Sequence, residues 1–259
     1  MVIVAHDAWD ELVDCLGSIE RHAAGLAVET ILVDNASRDG TSELVAEHFP
    51  ATRVIRRGRN EGVAARRHGL AAARGRLRMF LDSDARLTPG ALQELVRFLR
   101  DRPVAGLVGP LLVYPDGAPQ PSARRFPPLL LPLARRPPLK RFMESSAMVR
   151  HHLMLDEDLR RPREVEYVLG ACQLFTEEAQ LAAGDFDSRI FYGPDDADWC
   201  LRIREAGYKV LFDPDATVIH GYRRSTDRRP VSHLGLRHLW SFYRFQWRWR
   251  RKRRRIEVP

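Results

Sequence analysis

The sequence predicts an α/β fold, a single domain whose mostly parallel central sheet is flanked by helices. Three observations carry this. Short β-branched or apolar runs alternate with stretches of helical spacing and short links, the pattern of a doubly wound sheet. The run Phe80-Leu81-Asp82-Ser83-Asp84-Ala85 passes from apolar residues into two carboxylates, as a buried strand does at the sheet edge where such folds place ligands. The chain has 259 residues, 44% hydrophobic and 29% charged, enough for one large core or two small ones and too apolar for a disordered chain.

The elements follow in order. Val2-Ile3-Val4 is a first strand. Asp10 to Ala23 has helical spacing, with Leu12, Cys15, Leu16 and Ile19 on one face and Asp10 as a cap. Thr30 to Val33 is a second strand, running into Asp34-Asn35-Ala36-Ser37-Arg38-Asp39-Gly40-Thr41. The Asp39-Gly40 turn and the cap candidate Thr41 open a helix over Ser42 to His48. Arg53-Val54-Ile55 is a third strand. Asn60-Glu61-Gly62-Val63 precedes an Ala-rich helix over Ala64 to Ala73. Arg76 to Leu81 is the fourth strand, and after the Thr88-Pro89-Gly90 turn a helix covers Ala91 to Leu99. Val104 to Val113 reads as a buried strand pair or a strand and turn.

From Tyr114 to Arg163 prolines and arginines cluster and no period survives, which predicts a long, partly mobile excursion over the surface. Regular structure resumes with a strand over Tyr167 to Phe175 and a helix over Glu177 to Ala183. Asp195-Asp196-Ala197-Asp198 opens a helix through Glu205, its carboxylates placed favourably for the helix dipole, and Gly207 ends it. Lys209 to Phe212 and Ala216 to His220 are two short strands, and Leu234 to Arg255 is a last helix rich in aromatics and arginine.

Charge is unevenly placed. Of a net +8, seven positive charges lie in Arg248-Trp249-Arg250-Arg251-Lys252-Arg253-Arg254-Arg255, so the rest of the chain is close to neutral. Trp240, Phe242, Tyr243, Phe245, Trp247 and Trp249 interleave with these cations. The pattern fits a helix on an anionic membrane surface, or a helix packed on the domain with a solvated charged end. Nucleic acid is a poorer partner, because the aromatics sit in one terminal segment and the body is not basic. No apolar run is long enough to span a bilayer, and the run at the N-terminus is too short for a signal peptide. Cys15, Cys172 and Cys200 show neither metal spacing nor a disulfide framework, which points to a reducing cytoplasm.

An Asp-x-Asp at a strand end suits a hard cation such as Mg²⁺ or Mn²⁺ held together with phosphates, although Asp-Ser-Asp alone also makes an ordinary turn. Its neighbours decide. The stretches Val33 to Thr41, Asn60-Glu61-Gly62-Val63-Ala64, Phe80 to Asp84, Asp195-Asp196-Ala197-Asp198-Trp199-Cys200-Leu201-Arg202, and His220 together resemble the family 2 inverting glycosyltransferases of the GT-A (Rossmann-like) fold, in order and in approximate separation. The resemblance covers about residues 2 to 225 and is weakest over 114–163; within the family the chain is most similar to bacterial rhamnosyltransferase-type members that build cell-surface polysaccharide.

The resemblance implies one catalytic domain over 1–225: a nucleotide-sugar half (1–113), a variable excursion (114–163) and an acceptor and catalytic half (164–225), followed by a basic aromatic tail over 226–259. It implies donor contacts from Asp34, Asp39, Asn60, Gly62, Arg66, Asp82 and Ser83, and a metal held by Asp84 and His220. Asp196 would be the catalytic base, with Asp195, Asp198, Gly170 and Trp199 on the acceptor side. A carboxylate suits each role: it accepts from a base N–H or ribose hydroxyl, ligates a divalent cation, or takes a proton from an acceptor hydroxyl. The expected partners are a UDP- or dTDP-sugar donor, a glycan or lipid-linked acceptor and an anionic membrane surface, with a cytoplasmic location, peripheral on the inner face of the membrane.

Four departures from the family pattern stand out. Ala5-His6-Asp7 replaces the more usual Thr-Tyr-Asn, and Asp195 stands where Glu is more frequent. The chain begins inside its first strand, as a sequence lacking a few leading residues would. The stretch Ala64 to Gly69 is one residue shorter than usual, which leaves open whether Arg66 or Arg67 takes the arginine position near the phosphates. Two other functions fit parts of the chain. A nucleotidyltransferase would use the Asp pair but not the Asp195–Asp198 segment with His220, and a non-catalytic basic membrane- or RNA-binding protein would need only the tail.

Overall fold

The computed structural model describes residues 1–134, 143, 145–187, 189–221 and 233–252. Its centre is a mixed sheet in the order β3-β2-β1-β4-β10-β6-β11-β5, with β8 beside β11. The strands are β1 (Val2–Ala5), β2 (Thr30–Asp34), β3 (Thr52–Arg56), β4 (Leu77–Leu81), β5 (Ala85–Leu87), β6 (Ala105–Val113), β7 (Ala123–Arg124), β8 (Arg163–Glu164), β9 (Tyr167–Val168), β10 (Cys172–Thr176) and β11 (Lys209–His220). From β3 to β4 the sheet is parallel. Beyond β4, β10 runs antiparallel to both β4 and β6, while β6 and β11 are parallel.

Alternation along the strands fills two layers. Ile3, Leu32, Met79 and Leu81 face a core closed by the helices Trp9–His22 and Ala91–Arg100. Val2, Val33 and Phe80 face the opposite core, shared with the helices Arg66–Ala72, Glu177–Ala183 and Asp195–Glu205. Phe80 anchors that second layer, its ring centroid 4.8 Å from Phe175, 5.2 Å from Phe186 and 6.1 Å from Trp199.

Topology places the site. The chain leaves β1 toward β2 on one side and reaches β4 on the other, so the C-terminal ends of β2 and β4 flank a switch point, where open sheets carry ligands. Asp34 ends β2 and Asp82 follows β4. Because β10 runs antiparallel to β4 with Cys172 opposite Leu81, the Gly170–Ala171 bend falls beside Asp82, whose N–H donates to the Ala171 carbonyl at 2.9 Å. The pairing of β5 with β11 sets Ala85 opposite His220, which brings Asp84 to that strand end.

Several sequence-based boundaries change. The run read from Val104 to Val113 is one strand, Ala105–Val113, and not a pair. Tyr167 to Phe175 divides into β9 and β10 around the Leu169–Ala171 bend. Lys209 to His220 is continuous, its ladder with β6 shifting register between Asp213 and Thr217. The excursion over 114–163 is not confined to the surface. Gln120, Ser122, Ala123, Arg124 and Phe126 are buried, β7 pairs with β9, and Phe126 stacks on Tyr167 at 6.0 Å. A proline-rich stretch carries no period to reveal such burial, since its contacts are made by long-range partners. The expectation of mobility there falls in part on residues 135–142 and 144, outside the described residues. The last helix is described as His233–Lys252, so the expected continuation to Arg255 also lies outside.

Candidate active site

The site is organised by one buried guanidinium. Arg66 Nη2 donates to Asp82 Oδ1 at 2.7 Å and to the Gly170 carbonyl at 3.0 Å, while Nη1 donates to Asp195 Oδ2 at 3.0 Å. Its guanidinium also lies 4.9 Å from the Phe80 ring centroid. Burial alone favours the neutral form, but Asp82 and Asp195 keep the Arg66 pKa raised. One side chain thus ties the strand-end carboxylates to the acidic helix 129 residues later. It also separates the two arginines left open by the sequence: Arg67 turns away and pairs with Glu61.

Asp82, Asp84 and His220 form a cluster whose ligand atoms lie within 4.8 Å of one another. His220 Nε2 is 3.5 Å from Asp84 Oδ1. The other face of the ring meets Gln120, with Nδ1 and Oε1 2.9 Å apart, and Gln120 Nε2 donates to the His220 carbonyl at 2.7 Å. The second bond fixes the amide orientation, and an amide oxygen only accepts. Nδ1 therefore carries the hydrogen, and in the neutral ring Nε2 presents its lone pair to the carboxylates. Two carboxylates with an imidazole in this tautomer fit a divalent cation. Gln120 belongs to the proline-rich excursion and was not among the sequence candidates; no motif or period singles it out.

Asp195 and Asp196 open the Asp195–Glu205 helix. Burial raises the Asp195 pKa against the pull of Arg66, and Asp82 adds to the rise. Burial, then the neighbouring Asp195, push Asp196 up to about 6, with Arg124 and the Ala197 N–H opposing. Gly170 sits against this pair. A Cβ there would lie 3.2 Å from Arg66 Nη1 and 3.3 Å from the Asp196 Cβ, so a bare backbone lets the three approach.

The other candidates divide into those that shape the site and those the structure places elsewhere. Asp34 is buried, and both its oxygens are engaged in its own loop: Oδ1 accepts the Ser37 N–H at 2.8 Å and Oδ2 accepts the Ser42 hydroxyl. Asp39 accepts from the Thr41 N–H and hydroxyl and from the Trp9 N–H at 3.2 Å; burial opposes them, yet these bonds lower its pKa. Asn60 Oδ1 accepts from Asn35 Nδ2 at 3.0 Å and from the Gly62 N–H at 2.8 Å. Gly62 has φ of +61°, and a Cβ would stand 1.9 Å from the Phe191 carbonyl oxygen. That oxygen accepts the Val63 N–H at 3.0 Å, so Gly62 is where the two halves of the site touch. Ser83 occupies the turn between Asp82 and Asp84.

Asp198 and Trp199, expected on the acceptor side, are both buried in the packing of their helix. Asp198 is buried and paired with Arg202 at 2.7 Å and with Arg248 of the last helix at 3.5 Å. Trp199 is buried in the Phe80 cluster, stacked on Phe186 at 4.7 Å.

Residues 1–158 match Glycosyl transferase family 2. A protein of Mycobacterium tuberculosis (strain ATCC 25618 / H37Rv), described as N-acetylglucosaminyl-diphospho-decaprenol L-rhamnosyltransferase, is 30% identical over 241 residues, 85% of this chain and 77% of its own. The succinoglycan biosynthesis protein ExoO of Rhizobium meliloti (strain 1021) is 37% identical over 97 residues, 37% of this chain and 28% of that one. Among solved structures, GalNAc-T7 with UDP, GalNAc and Mn²⁺ superposes with a TM-score of 0.64 at 20% identity, over 86% of this chain and 43% of that chain. The mannosyltransferase PcManGT from Pyrobaculum calidifontis, in complex with GDP-Man and Mn²⁺, gives 0.63 at 20% identity, over 95% and 63%. At these identities the structural likeness is one of fold.

Proposed function

The chain belongs to glycosyl transferase family 2, with the GT-A fold, and from that premise we propose an inverting, metal-dependent transfer of a hexosyl or rhamnosyl group from a UDP- or dTDP-sugar to a hydroxyl of a glycan or lipid-linked acceptor. The observation that supports this best is the Arg66 bridge, which joins Asp82 of the metal-competent Asp82–Asp84–His220 cluster to Asp195 of the Asp195–Asp196 pair. The acceptor class draws on the mycobacterial relative, whose name specifies a diphospho-decaprenol-linked glycan. A lipid-linked acceptor places the work at the inner face of a membrane.

In this reading Asp84 and His220, with Asp82 beside them, would hold Mg²⁺ or Mn²⁺. The bound cation would neutralise charge on the leaving diphosphate. Gln120 keeps the His220 lone pair directed at the cluster. Arg66 fixes Asp82 for a donor hydroxyl and is cationic itself, which favours a phosphate nearby. The loops ordered by Asp34, Asp39 and Asn60, joined at Gly62, form the nucleotide side. Gly170 leaves room on the acceptor side, with Ser83 at the donor turn and Asp195 holding Arg66.

Asp196 removes the proton from the acceptor hydroxyl. The acceptor oxygen then bonds to the anomeric carbon from the face opposite the diphosphate, and the carbon–oxygen bond to the diphosphate breaks with its electron pair leaving on the nucleotide. A carboxyl with its pKa raised to about 6 is ionised at neutral pH yet more basic than an ordinary aspartate, as a general base should be.

The experiment is a donor panel. Purified protein with Mn²⁺ or Mg²⁺ is offered UDP-, dTDP- and GDP-sugars, and nucleotide release is followed with and without a polyprenyl-diphosphate-linked sugar. One donor should turn over, and Asp196→Asn should abolish transfer while retaining donor binding. No binding or hydrolysis of any donor, or full turnover in the variant, would overturn the reading.

A further inference from the structure

We propose that the outward face of the His233–Lys252 helix is a docking surface for a bilayer with anionic headgroups, and that its three exposed aromatic side chains are the contacts that enter the interface. The proposal rests on the reading of a lipid-linked acceptor only for its purpose; the surface is argued from its own composition.

The helix has two apolar faces, and the protein covers one. Phe242 and Phe245 are buried, Phe245 and Trp249 pack on Phe126 with ring centroids 5.7 and 5.6 Å away, and Gln246 donates to the Pro127 carbonyl. Charged contacts tie the helix to the domain: Arg248 bonds Glu205 at 2.7 Å, and Arg244, at the edge between the two faces, bonds Asp187 at 3.1 Å. The helix is therefore a fixed part of the domain. On the other side Trp240, Tyr243 and Trp247 are exposed by 52%, 45% and 61%. At spacings of three and four residues they share one stripe, and with Arg244 they line an open groove of about 440 Å³. Exposed tryptophans and a tyrosine aligned along one axis are an unusual investment for a soluble face.

Charge identifies the occupant. No acidic residue occurs between His233 and Lys252. Arg251 continues the stripe one turn on, 4.3 Å from the Trp247 ring, and Arg250 is exposed beside it. The sequence then adds Lys252-Arg253-Arg254-Arg255. Aromatic rings with an apolar body and a polar edge suit the headgroup level, and arginines at their flank meet anionic lipid. A second copy of the chain would set this cationic helix against itself. A nucleic acid would require basic surface beyond the tail, and the rest of the chain is close to neutral.

The face also lies next to the chemistry. Arg237, near the start of the helix, covers the Phe191 ring at 4.0 Å, and His238 meets Tyr192 at 5.9 Å. These two aromatics belong to the segment that leads into Asp195 and Asp196 and whose Phe191 carbonyl accepts from Val63. A bilayer held on the stripe is thus one packing layer from the proposed base, where a membrane-anchored acceptor would present its sugar.

The test is vesicle flotation of the full chain with phosphatidylcholine vesicles and with vesicles mixed with phosphatidylglycerol, for the wild type, Trp240→Ala/Tyr243→Ala/Trp247→Ala, and Arg250→Glu/Arg251→Glu. Wild type should float with the mixed vesicles only. The aromatic triple variant should lose more than about tenfold in partitioning, given the apolar area removed. The charge variant should lose the preference for anionic lipid, and added salt should weaken wild-type binding. Because the substituted side chains are exposed, circular dichroism and melting should match the wild type. Donor hydrolysis in detergent should also be unchanged, while transfer to a vesicle-embedded acceptor falls with partitioning. Wild type that fails to float, a triple variant that floats normally, a dimer broken by the triple substitution, or competition by single-stranded RNA but not by anionic lipid would each overturn the proposal. Loss of flotation with intact donor turnover rejects the docking surface alone; intact flotation without donor turnover rejects the catalytic reading alone.

Discussion

Gln120→Leu separates the support of the proposed metal cluster from the cluster itself. Gln120 is buried and makes both of its amide bonds to His220, accepting from Nδ1 at 2.9 Å and donating to the carbonyl at 2.7 Å. Leucine keeps the approximate volume and removes both. Two buried hydrogen bonds at about 1 kcal/mol each, plus a stranded carbonyl and N–H, cost about 2–4 kcal/mol in stability. A larger effect is expected on the metal, because the ring is then free to rotate and to exchange tautomers. Loss of such a supporting bond weakens metal affinity by about 10–100-fold. The assay is titration of Mn²⁺ into purified protein, with free Mn²⁺ read by electron paramagnetic resonance, alongside calorimetric melting. Gln120→Glu is the discriminating partner. Its carboxylate still accepts from Nδ1–H, so Mn²⁺ affinity should return to within about threefold of wild type. Its stability should stay low, since an oxygen then faces the His220 carbonyl. Wild-type Mn²⁺ affinity in Gln120→Leu, or equal weakness in both variants, would refute the reasoning.

Three further outcomes follow from the geometry. Burial and Asp195 raise the Asp196 pKa to about 6, and a base works only when ionised, so kcat/KM should be full above that pH and fall below it; a limb at the ordinary aspartate value of about 4 would detach Asp196 from the proton transfer. Gly62→Ala should destabilise the fold by more than about 3 kcal/mol in a thermal melt, because its Cβ would stand 1.9 Å from a backbone oxygen at positive φ, whereas Gly58→Ala, with nothing within 4 Å, should be tolerated. Phe245→Ala should cost about 3–5 kcal/mol, read as a lowered denaturation midpoint, since the buried ring holds the last helix to Phe126; a change under about 1 kcal/mol would show that the helix is not part of the cooperative unit.

What was legible in the sequence depended on whether the signal was local. The first four strands and their helices were readable because apolar alternation and turn chemistry lie within a few residues, as in Thr30 to Thr41. The Asp-x-Asp pair, Asp195, Asp196 and His220 were legible as an ordered set. Their assembly was not, because it depends on pairings such as Cys172 with Leu81 and Ala85 with His220, which no local period encodes. The surroundings of Asp198 and Trp199 were hidden for a related reason. Sequence adjacency to Asp196 suggested a shared role, but what surrounds these two side chains, Arg248 of the last helix beside Asp198 and Phe186 against Trp199, is set by tertiary packing that no local pattern encodes. Gln120 was invisible because a lone glutamine in a proline-rich stretch has meaning only through a histidine 100 residues away. The tail was half legible: composition allowed a packed helix or a membrane surface, and the structure shows a packed face and an exposed aromatic one.

The balance of charge gives the proposed cation a reason independent of any motif. Asp82, Asp195 and Asp196 surround Arg66, Asp84 lies beside Asp82, and Arg124 is near enough to lower the Asp196 pKa. Even with both arginines counted, the carboxylates outnumber the cations two to one. The proposed donor brings a diphosphate, so repulsion must be overcome before any bond is broken. Near a protein surface, two like charges about 4 Å apart repel by about 4 kcal/mol. Ion pairing through Arg66 cannot remove this, because its guanidinium is already committed to Asp82, Asp195 and the Gly170 carbonyl. The proposed divalent cation, which Asp82, Asp84 and His220 would hold, would supply the missing positive charge. On this argument the proposed cation would act first on donor affinity and only then on rate: withdrawing it would leave the nucleotide facing uncompensated carboxylates, with the proposed base intact but no donor to work on.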